Sequence, residues 1–351
     1  MLRIGVNALY LIPGGVGGTE IYLRNLLSAL ARIDAANQYV VFTNRETGAE
    51  LVPAQPNFSR DPQPVRASFR PARILWEQWA LPIAVKRRRL DVLFNPGFTG
   101  PIFCGCPMVT VFHDLQHKRH PEYFRWFDLP FWNFFLWASA RRSRGLIAVS
   151  EATRQDLKQY YGVDAQAIHH GVEREFFEIA GKREPGDFIL CASTSHPHKN
   201  LDRLLRVHAA MHDAPPLVIT GVRGFAAKQV ERLAGPRARM LGWIPREQLF
   251  ELFRRARGFI YPSMFEGFGM PVSEAMAAGV PVACSDIAPL REIGGAAVHY
   301  FDPASDDAIR DALKRLAAGA IPAEEAQRRA AEFSWEKCAR ATLDYLSKSS
   351  S

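Results

Sequence analysis

The chain has 351 residues, 48% hydrophobic and 23% charged, with no low-complexity tract. That is enough for two domains that each bury a core, and it excludes disordered and fibrous classes. The net charge of +8 is uneven: residues 1–175 carry 21 Lys and Arg against 15 Asp and Glu, a net of +6, and the remainder 23 against 21, a net of +2.

The opening Met1-Leu2-Arg3-Ile4-Gly5-Val6 reads as a strand and lacks the features of a secretory leader. No window approaches about 18 uninterrupted apolar residues. A cytoplasmic protein without a spanning helix is therefore expected. Strand-like apolar runs at 2–8, 38–43, 91–95, 108–113 and 145–150 alternate with helical spacing, as at 20–32. Two aromatic segments, 76–85 and 124–137, each precede a basic cluster, Lys86-Arg87-Arg88-Arg89 and Arg141-Arg142-Ser143-Arg144. Aromatic plus basic surfaces suit an anionic membrane interface, and the same aromatics equally suit a core. No helix-turn-helix, zinc-finger or RNP-type signature accompanies the basic half, so no nucleic-acid partner is expected.

A charged stretch ending at Glu184-Pro185-Gly186 precedes a second series of strands, at 188–192, 217–220, 239–242, 258–261, 281–285 and 297–301, with helices at 201–212 and 247–256. Repeated strand–helix units with continuous apolar strands predict an α/β fold: two Rossmann-like doubly wound parallel sheets, which bind ligands at their strand C-terminal ends. The expected division is 1–172, 173–333, and a C-terminal helix within 334–351 that returns to the first domain. The five cysteines are odd in number and scattered. Cys104-Gly105-Cys106 has no second pair to complete a metal set, so free thiols and no metal are expected.

The segment from Ile260 to Gly279 carries the most chemistry. A strand ends near Ser263, Pro271 suits the first helical position, and Gly279 followed by Pro281 suits its end. Gly267, Phe268, Gly269 and Met270 then bring backbone N–H groups to a helix N-terminus, a site for phosphate. Glu266 and Glu274, the latter placed in the first turn, flank that point and suit sugar hydroxyls. Alternatively, Glu274 complements the helix dipole and Glu266 is a solvated loop residue.

The spacing of Glu266 and Glu274 resembles the E-x7-E motif of the retaining glycosyltransferases of family 4, the GT-B group. The likeness covers nearly the whole chain. Gly14 to Leu27 is similar to the family's glycine-rich first loop and helix, Val111-Phe112-His113-Asp114 to its HD segment, and Ser150-Glu151-Ala152-Thr153 to its S-E-x-T segment. His170-Gly171-Val172, His198-Lys199-Asn200, Leu241-Gly242-Trp243-Ile244 and Phe333-Ser334-Trp335-Glu336 match later segments in order.

The resemblance implies a cleft between two domains and a donor held there. Glu274 would bind the ribose, Glu266 with the amides of Gly267, Phe268, Gly269 and Met270 the donor sugar, and Lys199 the diphosphate. Ile244 would border the base, Gly17 and Gly18 would let the first loop approach phosphate and acceptor, and His113 would position the donor sugar. No metal or other cofactor is implied; the donor is a substrate, and the chain lacks Asp-x-Asp. Many family members carry an Arg before the diphosphate lysine, where this chain has Cys191-Ala192-Ser193-Thr194-Ser195; Arg223 is the candidate substitute. The wording around His113 and His170 is most like mannosyltransferases of surface-polysaccharide assembly. That favours GDP-mannose and a saccharide or lipid-linked acceptor, with peripheral contact to an anionic membrane as a further expectation. A UDP-sugar transferase, a phosphorylase or an epimerase on the same scaffold are alternatives. An NAD-dependent oxidoreductase is remote, because the first loop lacks the third glycine of G-x-G-x-x-G and the acid that follows it.

Overall fold

The structure, a computed structural model, describes residues 1–224 and 226–350. The chain divides into two compact units, Met1–Gly171 with Trp335–Ser351, and Val172–Ser334.

In the first unit the elements are β1 (Arg3–Asn7), α1 (Gly18–Ile33), β2 (Gln38–Thr43), β3 (Phe58–Pro62), α2 (Arg70–Arg87), β4 (Val92–Asn95), β5 (Met108–Phe112), α3 (Gln116–Arg119), α4 (Leu129–Arg142), β6 (Gly145–Ala148), α5 (Glu151–Tyr161) and β7 (Gln166–Ala167). The strands form a parallel sheet in the order β3-β2-β1-β4-β5-β6-β7. Two of them, β3 and β7, are not among the expected strands. Phe58-Ser59-Arg60-Asp61-Pro62 is an edge strand with polar residues and a proline, and β7 is two residues long, so neither has the apolar run of a covered strand.

Side-chain parity sorts the helices by face. On β5, Met108 packs with Leu81, Ala84 and Val85 of α2, and Phe112 packs with Leu136 and Ala140 of α4. These two strand residues are four apart and point the same way, so α2 and α4 cover one face of the sheet. Right-handed crossovers require this and put α1 on the other.

The second unit runs α6 (Arg174–Ala180), β8 (Ile189–Ala192), α7 (Leu201–Ala209), β9 (Leu217–Thr220), α8 (Ala227–Leu233), β10 (Ala238–Gly242), α9 (Arg246–Arg255), β11 (Gly258–Tyr261), α10 (Met270–Ala277), β12 (Val282–Ser285), α11 (Ala288–Gly294), β13 (His299–Phe301), α12 (Asp306–Ala317) and α13 (Glu324–Ala330). Its parallel sheet has the order β10-β9-β8-β11-β12-β13, so β8 reverses the winding direction and lies beside β11. That reversal is the topological switch point, where doubly wound sheets bind ligands. The core beneath it is aliphatic: Ile189, Leu204, Leu217, Ile219, Ile260 and Leu313 are fully or almost fully buried.

The last helix, α14 (Trp335–Ser349), belongs to the first unit and packs along α1. Trp335 lies beside Tyr22 and stacks on His170, and Tyr345 Oη accepts a hydrogen bond from the Leu146 amide at 3.2 Å. Among the described residues no helix is long and apolar enough to cross a membrane.

Candidate functional site

Because β8 neighbours β11, the segments leaving their C-terminal ends meet. A 3-10 turn, Pro197–Lys199, follows β8, and the chain after β11 is bonded to it: Met264 N and Ser263 Oγ both donate to the His198 carbonyl, at 2.7 and 3.2 Å. Asn200, in the left-handed region at φ 58°, donates to the carbonyls of Pro262 and Pro303 and locks the turn in place. Lys199 is thereby aimed at the end of β11. Its Nζ donates to Glu266 Oε1 at 2.6 Å and to the Tyr261 hydroxyl at 3.1 Å, with only 14% and 10% of the Lys199 and Glu266 side chains exposed. Burial pushes the Glu266 carboxyl up, but Lys199, His198 and Ser263 together hold it below the ordinary range, so it stays ionised. Tyr261 is driven well above its usual value by burial and then by the charge of Glu266, and it is a neutral phenol.

Glu274 sits differently from the expectation. Helix α10 begins at Met270, with Pro271 in its first turn, so Glu274 is beyond the first turn and 8% exposed. It therefore does not cap the helix dipole, nor is Glu266 a solvated loop residue. The partner of Glu274 is Arg246 at the start of α9: Nη2 is 3.9 Å from Glu274 Oε1 and is also hydrogen-bonded to Glu173. Burial raises the Glu274 pKa to about 7, against the pull of Arg246 and with a further push from Glu173. Ile244, half-buried, lies two residues before Arg246 in the β10–α9 connection.

The turn that enters α10 is shaped by Gly269, whose φ is 108°. A Cβ there would stand 2.4 Å from Leu290 Cδ2, and the dihedral itself excludes ordinary side chains. Phe268 is buried edge-on against Phe333. Gly267 precedes it with its own contacts, and among the described residues the Gly269 and Met270 amides have no acceptor.

Ser193, Ser195, Thr220, Gly221 and Gly242 line a pocket at the ends of β8, β9 and β10. Arg223 is at its edge, three-quarters exposed and paired with Glu231 at 2.7 Å.

In the first unit, His113 follows β5 and is 7% exposed. Its Nε2–H donates to the Pro96 carbonyl at 2.8 Å, which leaves Nδ1 as an acceptor. Burial lowers its pKa to about 4, so the ring is neutral. Tyr22 packs edge-on at 5.0 Å, and His170, also pushed down by burial and then by His113, lies at 5.6 Å. Gly17 caps α1 at φ 58° with open space where a Cβ would stand, and Gly18 is the first helical residue. The Glu20 carboxylate accepts from the Gly14 amide at 2.8 Å, tying the loop to α1.

The structure thus gathers Lys199 and Glu266 into one pair, and Glu274, Gly269 and Met270 onto the adjacent helix. Sequence reasoning missed Tyr261, Arg246 and Glu173. Tyr261 stands five residues before Glu266 in the same segment and feels both Glu266 and Glu274; Arg246 and Glu173 act on Glu274 from outside any motif. Cys104 and Cys106 are free with their sulfurs 3.8 Å apart, and the other three cysteines are free and buried.

Comparison with known proteins bears on this arrangement. Residues 16–176 match the family model "Glycosyltransferase Family 4", and residues 172–333 match "Glycosyl transferases group 1". The chain is 30% identical to O-antigen chain mannosyltransferase B of Escherichia coli over 262 residues, 67% of this chain and 69% of that one. It is 26% identical to O-antigen chain mannosyltransferase RfbU of Salmonella typhimurium, over 59% of this chain and 60% of that one. Among solved structures, sucrose-phosphate synthase from Thermosynechococcus elongatus superposes with a TM-score of 0.79 at 17% identity, covering 99% of each chain. HepE of Anabaena in complex with UDP and glucose does so with a TM-score of 0.73 at 17% identity, covering 99% of this chain and 100% of that one. At such identities the likeness establishes the fold, the GT-B pair of Rossmann-like domains.

Proposed function

The chain belongs to the family-4 glycosyltransferases, and from that premise we propose that it is a retaining, metal-independent hexosyltransferase that carries mannose from GDP-mannose to a saccharide or lipid-linked acceptor in surface-polysaccharide assembly. The observation that carries this reading is the buried Lys199–Glu266 pair at the end of β11, beside the N-terminus of α10.

A nucleoside diphosphate gains charge as the bond to its sugar breaks, and a site that stabilises that charge lowers the barrier. Lys199 uses two of its three N–H donors on Tyr261 and Glu266, and the third is open among the described residues. That donor and the Gly269 and Met270 amides are suited to phosphate oxygens. Glu266, kept ionised, accepts from hydroxyls of the donor sugar. Glu274 titrates near neutrality and serves the ribose hydroxyls. His113, neutral and with Nδ1 free to accept, positions the sugar and moves no proton. The acceptor hydroxyl attacks on the face that the phosphate leaves; the sugar–phosphate C–O bond breaks, the new C–O bond forms, and the departing phosphate takes the proton.

The mannose assignment is supported by the similarity to O-antigen mannosyltransferases. A UDP-hexose is the second reading, favoured by the fold neighbour whose complex holds UDP and glucose. A thermal-shift panel of nucleoside diphosphates and their sugar nucleotides separates the two, because a ligand that binds only the folded state raises its melting point. We expect GDP and GDP-mannose to give the largest shifts, with or without EDTA, and transfer to fall at least about 100-fold in Lys199→Met. A larger response to UDP-sugars moves the assignment to the second reading. Transfer that EDTA abolishes and Mg²⁺ restores overturns the metal-independent mechanism.

A further inference from the structure

The first unit carries an apolar outer surface on the helices that face away from the sheet. On α2, Leu75, Trp79 and Ile83 recur every four residues and are 62%, 74% and 68% exposed, opposite the buried Ile74, Glu77, Leu81 and Val85. On α4, Phe134 and Trp137 point outward while Leu136 and Ala140 pack inward. The two helices cover the same face of the sheet, as the parity of Met108 and Phe112 requires. The β4–β5 connection bridges them: Gln78 of α2 donates to the Gly100 carbonyl and accepts from Ile102 N, and Gly100 N donates to Ser139 Oγ of α4. Phe103 projects from this bridge, 72% exposed, beneath the Arg142 guanidinium at 5.1 Å. Of the two roles that the sequence allows these aromatics, core or interface, the exposure of the outward residues removes the first for them.

The charge around this face is predominantly basic, with Asp91 and Asp128 at its margins. Between Asp61 and Asp91 the single acid is Glu77, which is buried, and residues 92–113 and 129–150 contain no Asp or Glu. Lys86, Arg87, Arg89, Arg141, Arg142 and Arg144 are all exposed at the ends of the two helices. We infer that the outer face of α2 and α4, with Phe103 between them, docks on the surface of an anionic phospholipid bilayer.

Helix exteriors that present Trp and Phe beside Lys and Arg match the interfacial layer, where aromatic rings sit among headgroups and cations meet anionic lipid. A second copy of this chain fits poorly. A two-fold contact sets the same patch against itself, and a patch with so large a basic excess would oppose like charges. The inference rests on the reading of a lipid-linked acceptor, because such an acceptor would be met at the bilayer; its test uses neither donor nor acceptor, so each can fail alone.

The test is co-sedimentation of the full chain with vesicles of phosphatidylglycerol and phosphatidylcholine, or of phosphatidylcholine alone. Binding to the mixed vesicles at low salt, at least about tenfold stronger than to phosphatidylcholine, is the expected result. Leu75→Ser/Trp79→Ser/Ile83→Ser and, separately, Lys86→Glu/Arg87→Glu/Arg89→Glu should each weaken it at least about tenfold. Both variants alter exposed side chains, and an unchanged melting temperature establishes that they fold. Three outcomes overturn the inference: no binding to the mixed vesicles, equal binding to phosphatidylcholine, or wild-type binding by either folded variant. A wild-type dimer in sedimentation velocity that the apolar variant dissolves overturns it too, in favour of self-association.

Discussion

Glu274 and Glu266 are both acids in the same unit, yet their surroundings push them apart. Glu266 has a lysine at 2.6 Å that outweighs its burial, whereas the nearest cation to Glu274 is at 3.9 Å and shared with Glu173. The raised pKa of Glu274 has a consequence for stability. An acid that holds its proton more tightly folded than unfolded stabilises fully below the unfolded value, and that contribution disappears as pH rises through the folded one. For Glu274 the window runs from 4.5 to about 7. Thermal unfolding of wild type against Glu274→Gln across that range should show the wild type losing up to about 3 kcal/mol relative to the variant as pH rises. A difference independent of pH would mean that Glu274 ionises in the fold at the same pH as in the unfolded chain. Little of this was legible in the sequence. The two carboxylates and Lys199 stood out by their spacing and segment wording, but the sequence placed nothing opposite Glu274, because Arg246 and Glu173 reach it from α9 and from the start of α6.

At the scale of elements, the strands covered on both faces were readable because burial on two sides demands continuous apolar runs, as in Leu217-Val218-Ile219-Thr220 and Gly258-Phe259-Ile260-Tyr261. The edge strand β3 was not, since Ser59 and Arg60 face solvent. The Lys199–Glu266 contact, 67 residues apart, depends on β8 lying next to β11, a fact of topology that no local pattern announces. The entry to α10 is where backbone geometry limits sequence most tightly. Gly269→Ala should cost about 2 kcal/mol, because φ of 108° is nearly closed to any residue with a Cβ. Leu290→Ala removes the clash but not the dihedral strain, and by itself leaves a cavity at a fully buried position, so in a double-mutant cycle the coupling between the two changes should be less than half of the Gly269→Ala cost. Chemical denaturation of both single variants and the double variant measures it, and a coupling equal to the whole Gly269→Ala cost would assign that cost to packing instead.

At the scale of the whole molecule, the first unit is built from two stretches of chain separated by the entire second unit. Its sheet and α1 are made early, but the helix that covers α1 comes last. Trp335, Cys338, Ala339, Thr342 and Leu346 of α14 are all buried. Burial of each large apolar side chain stabilises by about 1.5–3 kcal/mol, and without α14 the apolar side of α1 would face water as well. Removing the helix therefore costs an amount comparable to the 5–15 kcal/mol margin of a typical domain. A chain ended at Ser334 should lose the cooperative transition of the first unit while the second still responds to a nucleoside diphosphate. Two melting transitions, both unchanged, would refute this.

Synthesis follows from the same arrangement. As the ribosome extends the chain, β1 to β7 emerge with Tyr22 and its neighbours on α1 uncovered, and they stay so until the second unit has been completed. The early half must wait, partly solvated, for a strip of sequence that is still being translated. A peptide of residues 335–349 added during refolding of the shortened chain would shorten that wait and restore the missing transition.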